Sequence, residues 1–77
     1  MIYSVTHGGD RTKALAILPE HSVVLVDNDK LSHFLVKSPW EFEEFKRPFD
    51  EQGMIVSIRE PRDFKERYPS IDLTSHN

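Results

Sequence analysis

Apolar and polar residues alternate from Ile2 to Thr6, and that period of two predicts a first strand. His7-Gly8-Gly9-Asp10 punctuates the pattern as a turn, with Asp10 placed to cap a helix. Arg11 to Leu18 then offers Ala14, Leu15, Ala16, Ile17 and Leu18 before Pro19, a short helix with a broad apolar face. Ser22 to Asp27 is β-branched and apolar, a second strand, and Leu31 to Val36 returns from it across an Asn28-Asp29 turn. Met54 to Ile58 forms a fourth strand and Pro61 to Tyr68 a last helix.

Between the third and fourth strands lies a helix whose entry is spelled twice in the chain. Val36-Lys37-Ser38-Pro39-Trp40-Glu41-Phe42 and Ile58-Arg59-Glu60-Pro61-Arg62-Asp63-Phe64 both read apolar, basic, polar, Pro, any residue, acid, Phe. Each is a strand handing over to a helix. In the first copy Ser38 is the expected N-cap, Pro39 the first helical residue and Glu41 the partner in a capping box. Phe42, Phe45 and Phe49 recur at helical spacing, although Pro48 is expected to end the helix before Phe49. The order β-α-β-β-α-β, with an appended helix, matches an α+β split βαβ or ferredoxin-like layout over residues 1–69. A three-stranded sheet with loosely packed helices is the rival. Residues 70–77 read as a frayed tail, anchored if at all by Ile71 and Leu73.

A two-residue Asn28-Asp29 turn would pair Val26 with Leu31, Val24 with His33 and Val23 with Phe34. Both faces of that hairpin are apolar, whereas a sheet covered on one side should show polar residues on the other. The second face must be covered by the last helix and tail, by a second copy of the chain in a homodimer, or by a partner.

Composition narrows the class. Of 77 residues, 38% are hydrophobic and 30% charged, a lean composition that still supports a core. No cysteine is present, which excludes disulfides and thiolate metal sites and fits a cytoplasmic setting. No apolar run reaches the length of a membrane span. A net charge of −3 opposes binding to nucleic acid, and Tyr3 and Phe34 alone do not make the exposed aromatic platform of an RNA-binding sheet.

Candidate chemistry is sparse. Asp27-Asn28-Asp29 after Val23 to Val26 superficially resembles the Asp-x-Asp opening of haloacid-dehalogenase-type phosphatases, over seven residues. The Thr or Val that would follow is missing and the chain is too short for that fold, so a hairpin turn is the better reading. His7, Asp10, Asp27 and Asp29 fall at one sheet edge in the expected layout, where a hard divalent ion would find oxygen and imidazole ligands. They would serve a metal-dependent phosphodiesterase or nuclease. His33 reads as a structural histidine within a strand. No nucleophile-base pair is legible and no cofactor is implied.

Trp40 points away from Phe42, Phe45 and Phe49 at 100° per residue. It either folds back over the preceding strand or stands exposed among Glu41, Glu43, Glu44 and Arg47 as an interface anchor with a polar rim. Arg62 holds the same repeat position in the last helix. These five residues, Trp40, Glu43, Glu44, Arg47 and Arg62, are the expected partner-binding set. The leading expectation is a non-enzymatic protein-binding module, a stoichiometric regulator, adaptor or inhibitor of a larger protein. Chains this short and acidic are often accessory or mobile-element products, phage proteins among them.

Overall fold

The computed structural model describes residues 1–70, the side chain of Asp29 apart; the expected tail anchors Ile71 and Leu73 lie outside the described residues. Its elements are β1 (Ile2–Thr6), α1 (Arg11–Ala16), β2 (Val23–Asn28), β3 (His33–Lys37), α2 (Phe42–Glu51), β4 (Ile55–Arg59) and α3 (Pro61–Arg67), with a 3-10 turn at Asp29–Leu31. The result is a small α+β domain: a four-stranded antiparallel sheet in the order β2-β3-β1-β4, and three helices.

The doubled entry acquires a geometric meaning in this sheet. β1 lies between β3 and β4, and Tyr3 stands opposite Val36 on one side and Ile58 on the other. Ile2 is likewise flanked by Lys37 and Arg59. The two copies therefore leave the sheet side by side, at the same end, and diverge only beyond it.

They diverge to opposite faces. Successive strand residues alternate sides, so Tyr3, Val5, Phe34 and Val36 face one way and pack with Ala14 of α1, Phe45 and Phe49 of α2, and Met54. Ile2 and Leu35 face the other way and meet Phe64 of α3, with Leu25, Val26 and Tyr68 around them. Tyr3 stacks on Phe45 with ring centroids 4.3 Å apart, and Phe45 on Phe49 at 5.2 Å. Each buried aromatic of this kind contributes about 1.5–3 kcal/mol from surface removed from water. Of the three covers foreseen for the second apolar face, it is the last helix that packs on it.

Local geometry departs from the sequence reading in four places. The β2–β3 connection is longer than two residues: Asn28 pairs with His33, Asp27 with Phe34 and Val26 with Leu35, with an irregularity between Val24 and Val26. The Asn28 side chain accepts a hydrogen bond from the Leu31 N–H at 3.2 Å, and Ser32 adopts φ +53°, so an Asx-type turn replaces the tight one. The first helix stops at Ala16 because Pro19 disfavours helical geometry at the residue before it.

The second helix begins at Phe42, with Glu41 at its N-cap and no side-chain cap, so Ser38 and Pro39 precede it. Nor does Pro48 end it. α2 runs to Glu51 with Pro48 inside, since Phe49 must stay on the helix to reach the core beside Phe45. Gly53 then closes the turn at φ +72°, a left-handed conformation that glycine adopts without a Cβ penalty.

Candidate partner-binding surface

Trp40 is the hinge of the passage from β3 to α2, and it is held at three points. The Tyr3 hydroxyl, on the fully buried ring of β1, donates to the Trp40 carbonyl at 2.6 Å. The Trp40 N–H donates to Ser38 Oγ at 3.2 Å, and that same oxygen accepts from the Ser22 hydroxyl at 2.9 Å. The indole Nε1–H donates to the Glu20 carbonyl at 2.7 Å. Ser38 is therefore an organiser of the bend rather than a helix cap, and it is buried.

With all three anchors made, the Trp40 residue is still 38% exposed. The indole hydrogen bond goes to the segment before β2 rather than to the preceding strand, and part of the residue remains open to solvent. Glu43, Glu44 and Arg47 are exposed on α2, just beyond it in the chain. Glu43 lies 3.5 Å from Lys46 Nζ, which also reaches Asp50 at 3.9 Å and sits 5.2 Å from the centre of the Phe42 ring. Arg62 is exposed too, on α3. Because α2 and α3 pack on opposite sheet faces, Arg62 lies across the sheet from Glu43, Glu44 and Arg47 rather than extending their surface.

Burial, and after it the negative charge of Glu41, push the Tyr3 phenol above its ordinary value of 10.0. The hydroxyl that steers the Trp40 bend thus keeps its proton throughout the physiological range.

Of the residues expected to gather a metal, His7 and Asp27 make other side-chain contacts. The His7 ring is buried, 5.5 Å from Phe34, and its Nδ1 accepts the Gly9 N–H at 3.2 Å. Asp10 heads α1 through its carbonyl, which accepts the Ala14 N–H at 2.9 Å. Asp27 is ion-paired with the Arg11 guanidinium, whose Nε lies 2.6 Å from the carboxylate. Among the described residues no three His, Asp or Glu side chains form a group able to hold a metal ion.

Two features went unread in the sequence. A cavity of about 330 Å³ opens between α3 and the sheet, bordered by His33, Leu35, Arg59, Phe64 and Tyr68. Arg59 Nε and His7 Nε2 are buried with no hydrogen-bond partner among the described residues. Their burial without partners follows from the fold and not from the motifs in which they stand. Among the described residues no helix is long and apolar enough to cross a membrane. Comparison with family models, with curated proteins and with solved structures finds no match for this chain.

Proposed function

We propose that this protein is a non-enzymatic binding module that engages a larger protein through Trp40 and the exposed side of α2. The carrying observation is that Trp40 is fixed by hydrogen bonds at its N–H, its carbonyl and its indole nitrogen, yet remains more than one-third exposed. A large aromatic that is already ordered loses little conformational entropy when a partner covers it. Tryptophan is also among the residues that most often dominate interface energetics. Glu43, Glu44 and Arg47 supply the polar rim that typically surrounds such an anchor.

The strand order β2-β3-β1-β4 supports reading the scaffold as a split βαβ, ferredoxin-like domain, with α3 added to the face that this layout leaves open. A cytoplasmic regulator or inhibitor, of the kind mobile elements encode, is the role this reading favours.

The test is capture of a partner from native lysate by the unaltered chain, followed by titration of that purified partner with variants. Trp40→Ala should weaken binding at least tenfold, and Glu44→Lys should alter its salt dependence, with the amide spectrum of the free protein preserved. Equal affinity of all three proteins for the partner would remove this surface from consideration.

A further inference from the structure

The two edges of the sheet are built differently. β2, at one edge, is broken by the irregularity between Val24 and Val26 and carries Asp27 tied to Arg11. Bulges and charges are the usual means by which an edge strand is kept from pairing with another chain. β4, at the other edge, pairs with β1 at all of its five positions with no register shift. It contains no proline, and it exposes Ile55 at 68% and Ile58 at 49% on opposite faces. Two large β-branched side chains, and an outer edge that pairs with no other strand among the described residues, describe a strand that accepts another strand.

We propose that β4 is a self-association edge. Two copies join antiparallel about a two-fold axis through Ser57, perpendicular to the sheet, so that two four-stranded sheets become one. The pattern of β4 singles out this register. Ile58 of each copy then lies opposite Val56 of the other, on the face where Val56 already packs against the core. Ile55 of each copy lies opposite Arg59 of the other, whose aliphatic stem can cover it. An axis through Val56 would set Ile55 against Ser57 and Ile58 against the buried Met54. An axis through Ile58 would set Val56 against Glu60 and carry Ile55 past the strand end.

Charge does not oppose the arrangement. The two Arg59 residues stand four positions apart across the seam, about 13 Å at the usual rise of a strand, more than a Debye length in physiological salt. The Trp40 bend adjoins Glu20 and Ser22, before β2, at the far edge of the sheet. The Trp40 anchor therefore lies away from the proposed seam.

The absence of cysteine makes a direct test available. In this register the two Ser57 Cα atoms lie roughly 4.5–5.5 Å apart, within disulfide range. Sedimentation of the unaltered chain from about 10 µM to 1 mM, the window suited to a small interface, should show a reversible dimer. Ser57→Cys should cross-link rapidly under mild oxidation, much faster than Glu44→Cys on α2. Ile55→Lys and Ile58→Lys, both at exposed positions, should sediment as folded monomers. A monomer across the whole range would overturn the proposal. So would a dimer that survives both lysine variants, or one in which Ser57→Cys cross-links no faster than Glu44→Cys.

Discussion

The indole nitrogen of Trp40 donates to the Glu20 carbonyl across 2.7 Å, tying the entry of α2 to the segment before β2. Trp40→Phe keeps the aromatic surface and deletes that donor. Its expected cost is about 0.5–1.5 kcal/mol of folding stability, measured by urea denaturation followed by circular dichroism. Because Trp40 is the sole tryptophan, quenching of its emission by acrylamide provides a second reading. Partial quenching in the free protein should give way to protection when a partner binds.

Tyr3 makes stability depend on alkaline pH. Its phenol is held above the ordinary 10.0 in the fold, chiefly by burial and then by Glu41. The unfolded chain releases this proton near pH 10 while the folded chain retains it. The stabilisation is therefore complete below about pH 10 and is lost as pH rises through the folded-state value. Tyr3→Phe should flatten that part of the pH-stability curve. It should also cost about 1–3 kcal/mol at pH 7, because the Trp40 carbonyl loses its donor. An unchanged alkaline slope would show that another group titrates there.

Pro48 stands inside α2, where it has no N–H to give the Glu44 carbonyl and its ring crowds that turn. Pro48→Ala should restore the bond and relieve the crowding, against a smaller loss from a more flexible unfolded chain. The net expectation is a gain of about 2 kcal/mol, seen as a higher melting temperature. A fall would mean that the Phe45–Phe49 stack depends on the bend that proline imposes.

Phe64 is 2% exposed and is the side chain by which α3 closes the second face over Ile2 and Leu35. Phe64→Ala should cost about 3–5 kcal/mol, comparable to the whole stability of so small a domain. The amide spectrum should collapse at 25 °C. Tyr68→Ala, at a half-buried position beside it, should remain folded. Retention of native dispersion by Phe64→Ala would show that α3 adds little to the fold.

The elements were legible wherever local pattern and tertiary need agreed. Ile2 to Thr6 alternates and is a strand with those bounds; Pro61 opens α3 as the first-turn preference of proline implies. The errors arose where distant groups overruled a local motif. Ser38, Pro39 and Glu41 spell a helix start, but Tyr3 and Glu20 capture both ends of Trp40 and hold those residues in a bend. Pro48 spells a helix end, but two phenylalanines spaced for one core keep the helix going. Of the expected partner-binding set, the exposure of Glu43, Glu44 and Arg47 follows from helical spacing. The separation of Arg62 from them does not, because nothing in the doubled motif says that its two helices part to opposite faces.

The position of β1 also shapes how the chain folds. β1, one of the two central strands, comes first of the four in sequence, and its neighbours are β3 and β4. Tyr3 waits for Val36, more than thirty residues on, and then for Ile58, more than fifty on. Such pairings close long loops before they gain any contact energy, which places this protein among the slower folders of its size. During synthesis β1 would spend its time unpaired while β2 and β3 formed a hairpin nearby. The order in which the ribosome releases the strands, rather than the strength of any one contact, then sets how long an apolar segment stays open to wrong partners.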